Sequence, residues 1–368
     1  MPEPMISLQG VTKVFPNSSR PAVGDLSFDV AEGELVALVG PSGCGKTTTL
    51  KMINRLIEPS GGTILVNGVD VMQQDPVLLR RGIGYVIQSV GLMPHQTIER
   101  NIATVPHLLG WDEERIATRT DELVALFDLD PVFLERYPAE LSGGQRQRVG
   151  VARALAADPT VMLMDEPFAA VDPIVRARLQ DEFLEIQRRL RKTIVFVTHD
   201  VDEAIKLADR ICILNTGGVL EQFAAPEEIL RAPVNAFVEA FVGSERGLKR
   251  LALIRVADIQ VEEGPVVTSA TPADEARRVV EAAGFGWTSV VDDGELRGWV
   301  DLEVLQGVST VGEATVRPFN AYVTAQDSLR QALDAIVTNR TQVAVVASEG
   351  QRYLGILTLS HISEEIVS

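Results

Sequence analysis

The run Gly40-Pro-Ser-Gly-Cys-Gly-Lys46-Thr47 constrains the fold of this chain more than any other stretch of it. It lies between the apolar segment ELVALV and the amphipathic TTTLKMINRL, in the order strand, glycine loop, helix that the pattern G-x-x-x-x-G-K-[ST] requires. Glycines among small neighbours let backbone N–H groups curl toward one point at the positive end of a helix, which makes an anion site. Gly40, Pro41, Ser42, Gly43, Cys44, Gly45 and Thr48 are therefore expected to wrap the phosphates of a nucleoside triphosphate. In such a loop the lysine, Lys46, reaches the β- and γ-phosphates, and the Thr47 hydroxyl ligates Mg²⁺.

Short apolar strands alternate with amphipathic helices through the first part of the chain, as in VMLMDEP and in KTIVFVTHD followed by VDEAIKLAD. That alternation predicts an α/β fold with a mostly parallel sheet and its active loops at the carboxyl ends of the strands. VMLM reads as a buried strand that delivers Asp165 and Glu166 to the edge where the phosphate loop stands. Asp165 would hold Mg²⁺ through water, and Glu166 would polarise the attacking water. Between Gln88 and Leu141 the pattern turns helical, in ERNIATVPHLLG and DEERIATRTDELVALFDL, and predicts an inserted helical subdomain. The string LSGGQRQRVGVARAL follows, and Ser142, Gly143 and Gly144 stand at the start of its helix. A hydroxyl and free backbone N–H groups there form an anion site with no phosphate loop of their own, so the phosphate it takes belongs to another chain.

Leu141 to Gln145 match the LSGGQ signature without a departure, and over roughly residues 5 to 245 the chain resembles the ATP-binding-cassette (ABC) ATPases. The resemblance implies a P-loop NTPase cassette over residues 1–240, a RecA-like core carrying a helical subdomain, with ATP and Mg²⁺ as cofactors. It gives Phe15 the role of stacking on adenine. Gln88, in GYVIQSVGLMP, would contact Mg²⁺ and link the site to a membrane partner. Ser142, Gly143, Gly144 and Gln145 would bind the ATP of a second ATPase subunit, an identical chain in the simplest case. His199, in FVTHDVDEA, resembles the switch histidine on the γ-phosphate. Asp172 matches the aspartate that follows the acidic pair, although the usual Ser-Ala-Leu-Asp reads Ala169-Ala170-Val171-Asp172 here. The implied catalytic set is Glu166, His199, Lys46 and Gln88, with Thr47, Gln88 and Asp165 around the metal. The implied partners are transmembrane permease subunits and, through them, an extracytoplasmic solute-binding protein.

Composition narrows the partners further. The chain has 368 residues, 46% hydrophobic and 23% charged, enough for two globular domains. It shows no apolar run long enough to span a bilayer and no basic-then-apolar leader, which predicts a soluble, cytosolic chain; the permease partners that the resemblance implies would hold it peripherally on the cytoplasmic face of the membrane. A net charge of −17 argues against nucleic acid as a partner. The two cysteines, Cys44 and Cys212, have neither disulfide nor metal spacing and suit a reducing compartment.

After a connector at residues 241–255 a weak internal repeat begins. TPADEARRVVEAAGFGWTSVV from Thr271 resembles TAQDSLRQALDAIVTNRTQVAVV from Thr324, and a second strand follows each, ELRGWV and YLGILT. Two βαββα-like units that cannot each bury a core alone predict one paired domain over residues 256–368. The pair resembles tandem CBS domains, and a cassette followed by such a pair resembles the importers of glycine betaine, choline, carnitine, proline and related osmoprotectants. In that family the pair is regulatory, sensing ionic strength or an adenine-containing ligand. The glycine-x-x-Thr/Ser-x-x-Asp pattern of the ligand-binding units is matched at Gly355 and Thr358, but His361 replaces the aspartate. The first copy reads Gly298 and Asp301 with Val304 in that place. No lysine follows Lys249, so a cationic sensor would rest on Arg246, Lys249 and Arg250. A sensing module and a dimerising module both stay open. An importer ATPase for another small solute and a soluble non-transport ABC ATPase are the alternative functions.

Overall fold

A computed structural model describes residues 3–16, 18, 20–88, 90–169, 171–319, 322–339, 341–348 and 350–367. The chain divides into two compact units, Met1–Val242 and Gly243–Ser368.

The first unit opens with the strands β1 (Ile6–Lys13), β2 (Val23–Val30) and β3 (Leu35–Val39), and the helix α1 (Lys46–Ile53) follows the phosphate loop. β4 (Gly61–Val66), β5 (Val69–Asp70), α2 (Pro76–Arg81) and β6 (Ile83–Val86) come next, then the helices α3 (Ile98–Leu108), α4 (Glu113–Leu126) and α5 (Gly143–Leu155). The unit ends with β7 (Val161–Asp165), α6 (Pro173–Leu190), β8 (Thr193–Val197), α7 (Val201–Leu207), β9 (Arg210–Asn215), β10 (Val219–Ala224), α8 (Pro226–Arg231) and α9 (Ala236–Val242).

The main sheet has the order β10-β9-β3-β8-β7-β6, all parallel except for the antiparallel pair β9–β10. β3, β7 and β8 are buried at every position, which is why they read as uninterrupted apolar runs rather than alternating ones. A second, antiparallel sheet, β2-β1-β4-β5, packs into the same core, where Leu8, Leu26 and Ile64 join Leu38, Leu50, Leu163 and Val195 in one apolar cluster. The core is therefore shared between the two sheets and α1.

The helical lobe is inserted between β6 and β7, which are hydrogen-bonded neighbours, so the insertion leaves the sheet unbroken. Its helices start at side-chain caps: Thr97 accepts from Arg100 N–H, Asp112 from Arg115 N–H and Ser142 from Gln145 N–H.

The second unit contains α10 (Arg246–Leu251), β11 (Val266–Val267), α11 (Ala273–Ala283), β12 (Trp287–Asp292), β13 (Glu295–Asp301), α12 (Leu329–Thr338), β14 (Ala344–Ala347), β15 (Tyr353–Leu357) and α13 (Leu359–Val367). The repeat is visible as structure. In the first copy β11 runs parallel to β12, and in the second Val323 makes the matching parallel bridge to Val346. The segment that enters each copy first pairs with the last strand of the other: Arg317 bridges Trp299, and Glu262 bridges Ile356. Gly298 (φ 147°) and Gly355 (φ 143°) admit these crossings, because a methyl group on either would lie 2.3 Å from Arg317 O or 2.2 Å from Glu262 O. Trp287, Trp299, Val343, Val345 and Ile356 fill the space between the copies. The copies differ at their ends: α13 closes the second, while the first ends in turns over residues 302–307. The segment expected as a connector is partly built into this unit, since Leu251 is fully buried in the core of the second copy. Arg250, counted among the candidate sensor cations, is also buried.

Candidate nucleotide site

β3, β7 and β8 lie side by side and parallel, so the loops after their carboxyl ends converge. The phosphate loop follows β3. Its backbone needs glycine for two reasons: Gly40 (φ 149°) and Gly45 (φ 103°) adopt left-handed geometry, and a methyl group on either would meet Leu214 O at 2.1 Å or Ala22 O at 2.5 Å. Ser42 and Gly43 are exposed at the tip, Pro41, Thr47 and Thr48 are half-buried, and Cys44, Gly45 and Lys46 are buried. Lys46 Nζ donates to the carbonyl oxygens of Gly40 (2.7 Å) and Pro41 (3.1 Å). The loop's own acceptors thus hold the ammonium where phosphate oxygens would compete for it.

Thr47 Oγ1 donates to Asp165 Oδ1 at 3.0 Å, joining the first turn of α1 to the end of β7. A hydroxyl and a carboxylate oxygen side by side form a hard-oxygen donor pair that suits Mg²⁺, which takes few protein ligands and completes its shell with phosphate and water. Burial raises the Asp165 pKa above the ordinary carboxylate value, against the opposing effect of the Thr47 hydrogen bond.

One residue further on, Glu166 adopts φ 49° and donates its N–H to Val197 O at the end of β8 (2.9 Å). Gln88 Nε2 donates to Glu166 Oε2 at 2.7 Å, and His199 Nδ1 lies 3.5 Å from Glu166 Oε1. The structure therefore brings Lys46, Thr47, Asp165, Glu166, Gln88 and His199 to one edge. Gln88, expected beside the metal, bonds to the Glu166 carboxylate instead of to the Thr47–Asp165 pair. His199 is open to solvent, 62% exposed, in a position to meet a ligand.

Ser142 to Gln145 lie elsewhere, at the start of α5. Ser142 N–H donates to Gln145 Oε1 (2.8 Å) and Gln145 N–H to Ser142 Oγ (3.3 Å), a reciprocal cap that fixes the turn. Ser142 and Gly143 are exposed. Among the described residues no hydrogen bond joins this turn to the phosphate loop of the same chain. Phe15 is 38% exposed, with Lys13 Nζ 5.3 Å from its ring centroid, so a ring face and a cation stand together at the surface. Asp172 caps α6 by accepting from Ile174 N–H at 3.0 Å. Ala170, part of the departure noted before it, lies outside the described residues. In the second unit His361 Nδ1 meets Thr358 Oγ1 at 2.9 Å and accepts from Thr358 N–H at 3.2 Å, occupying that threonine.

Sequence reasoning passed over two supporting residues. Arg153, in the last turn of α5, donates to Val90 O (2.8 Å) and Gly91 O (2.6 Å), which ties the signature helix to the loop of Gln88. Tyr85, on β6, has its hydroxyl pKa pushed up to about 12 by burial and then by the charge of Asp165. Only the position of each near a motif hinted at a role: Arg153 ends LSGGQRQRVGVAR, and Tyr85 precedes Gln88 by three residues.

The ABC transporter family profile matches residues 23–169, and the CBS domain profile matches residues 311–368. The chain is 46% identical over 371 residues to the osmoprotectant import ATP-binding protein of Salmonella typhimurium, covering 99% of this chain and 97% of that one. It is 47% identical over 361 residues to the glycine betaine/carnitine/choline transport ATP-binding protein of Bacillus subtilis, covering 96% of this chain and 94% of that one. Among solved structures, a dimeric ATP-binding cassette in a post-hydrolysis state, bound to ADP and Pi, superposes with a TM-score of 0.54 at 31% identity. That likeness covers 60% of this chain and 99% of the other.

Proposed function

This chain belongs to the ATP-binding subunits of ABC transporters, and from that premise we propose that it powers an importer of osmoprotectants of the glycine betaine, carnitine and choline class. The observation that carries the substrate class is similarity along the whole chain, cassette and C-terminal unit together, to relatives named for that transport.

The site supports a mechanism of positioning and charge stabilisation. Lys46 leaves the carbonyls of Gly40 and Pro41 for the β- and γ-phosphates of ATP, and Phe15 stacks on the adenine. Thr47 and Asp165 would hold Mg²⁺, whose chemistry is to neutralise charge on the phosphates. Glu166, held by Gln88, orients the attacking water, and His199 meets the γ-phosphate. A second copy of the chain supplies Ser142, Gly143, Gly144 and Gln145 to complete each site. Closure and reopening of the pair act on separate permease subunits through the helical lobe and Gln88. Those subunits place the chain on the cytoplasmic face of the membrane and receive solute from an extracytoplasmic binding protein.

The test is uptake of radiolabelled glycine betaine by source cells lacking this gene and every redundant betaine importer, at low and high osmolarity. The expected result is restoration by the wild-type chain and none by Glu166→Gln. Equal uptake with and without the chain overturns the substrate assignment.

A further inference from the structure

Between His199 and α6 lies a buried polar cluster that the mechanism above does not use. Thr198, next to His199, is 1% exposed, and its backbone N–H is held by Leu38 O at the end of β3 (3.2 Å). Its hydroxyl donates to Glu203 Oε2 and accepts from Asp200 N–H at 3.0 Å. The other carboxylate oxygen, Glu203 Oε1, accepts from Gln180 Nε2 of α6 at 3.3 Å. Glu203 and Gln180 are each 6% exposed. The nearby cation, Arg176, makes its contacts with other groups: it lies 3.9 Å from Asp200 Oδ2 and donates to Val171 O at 3.1 Å.

A carboxylate in this position is costly, because burial disfavours its charge and, among the described residues, no cation bonds to it directly. Consistent with that, burial raises its pKa against the two hydrogen bonds it accepts. Packing alone would be served better by an apolar side chain. What Glu203 adds is a fixed link. One oxygen holds Thr198, the residue before His199, and the other reaches the helix that begins after Asp172. The residue before Thr198, Val197, holds Glu166 through its carbonyl, so a shift of the strand end would move both groups at the γ-phosphate.

We propose that Glu203 is a positioning residue for ATP hydrolysis: through Thr198 it fixes His199 against Glu166, and through Gln180 it ties that geometry to α6. The proposal rests on the ATPase reading of the site and is independent of the transported solute.

The experiment is steady-state ATP hydrolysis by the purified full chain, with melting temperature recorded for each variant and Glu166→Gln run in parallel. Glu203→Ala is expected to lower kcat about tenfold while KM for ATP stays within about twofold. Glu203→Gln should keep more than half of kcat, because its amide and a flipped Gln180 amide reproduce both hydrogen bonds. Thr198→Val should match Glu203→Ala, and the double variant should be no slower than either single one, since the two residues act as a unit. Wild-type kcat in Glu203→Ala, a loss in Glu203→Gln as deep as in Glu203→Ala, or multiplying losses in the double variant would each overturn the proposal. If Glu203→Ala does not fold, Glu203→Gln and Thr198→Val decide. Absence of hydrolysis by the wild-type chain would instead sink the ATPase reading itself, and undiminished hydrolysis in Glu166→Gln the assignment of the base.

Discussion

The nucleotide site of the first unit and the paired copies of the second both depend on glycine, for different ends. At Gly40 and Gly45 the missing side chain lets the phosphate loop close on itself against Leu214 O and Ala22 O, and the loop's backbone is itself the binding surface. At Gly298 and Gly355 the missing side chain admits a crossing segment, and the backbone serves only as scaffold. The polar positions behave accordingly. The first unit brings Lys46, Thr47, Asp165, Glu166, Gln88 and His199 to one edge. The two copies keep the glycine and differ beyond it, with Val304 in one and His361 in the other. Where backbone shape performs the chemistry, a contiguous string announces it. Where backbone only supports, the chemistry rests on side chains free to differ between copies.

The largest expected effect separates the two regions by activity. Lys46→Ala and Glu166→Gln should each lower ATP turnover by about a thousandfold or more, as losses of charge stabilisation and of the base do. Glu166→Gln should keep its affinity for ATP, and Lys46→Ala should lose it, as measured by calorimetric titration. Turnover near wild type in either would break the assignment of the catalytic edge.

A second effect is confined to the scaffold. Gly298→Ala and Gly355→Ala should each destabilise the second unit by about 3 kcal/mol, from the left-handed backbone and the contact with the crossing carbonyl. Denaturant unfolding of the full chain would register this as an earlier transition from that unit. Loss in only one of the variants would show that the two crossings are not equivalent.

The third effect is a gain. Because the pKa of Asp165 is raised in the folded chain, its carboxyl favours folding at pH below the ordinary carboxylate value. That contribution is lost as pH rises through the raised value. Asp165→Asn removes the cost of the buried charge, so the nucleotide-free variant should melt about 2–4 °C higher near neutral pH. The gain should shrink as the pH is lowered toward the carboxylate range, and scanning calorimetry at two pH values would detect it. An unchanged or lower melting temperature at neutral pH would mean that the Thr47 bond outweighs burial.

Much of the catalytic edge was legible because its information is local. The phosphate loop, Asp165, Glu166 and His199 each lie at the end of a fully buried strand, and such strands read as short apolar runs. The antiparallel sheet was not legible in the same way. β1 pairs with β2 and β4 through irregular registers, including shifts between Leu8 and Val11 and between Gln9 and Thr12. No local pattern encodes such shifts, so ISLQGVTK gives no sign of its partners. The motif around Gln88 points to the metal but says nothing about which oxygen its amide will meet. The burial of Arg250 and Leu251 was hidden for a related reason: a short amphipathic segment looks like a connector until the core it joins is known. Glu203 sits within FVTHDVDEA, next to its last residue, yet an acidic residue early in a helix normally reads as a solvated favourable charge.

The smallest effect tests what His361 does in the place of the aspartate. Its Nδ1 bonds to Thr358 Oγ1 at 2.9 Å and to Thr358 N–H at 3.2 Å, while its Nε2 lies 3.3 Å from Glu262 Oε1. The first contact caps the turn into α13, and the second reaches the segment that crosses from the other copy. Since the Glu262 side chain is 57% exposed, this contact is screened by solvent and contributes at most about 0.5 kcal/mol. The bonds to Thr358 should contribute about 1 kcal/mol. His361→Ala removes both, whereas His361→Asn keeps an acceptor for Thr358 and loses only Glu262. In denaturant unfolding of the second unit the alanine variant should therefore cost more than the asparagine variant. Equal costs would assign the role of His361 to Glu262 and the crossing segment. That result would make the second copy resemble the first, where Arg317 of the crossing segment already pairs with Asp301 (3.3 Å) and Glu303 (2.9 Å).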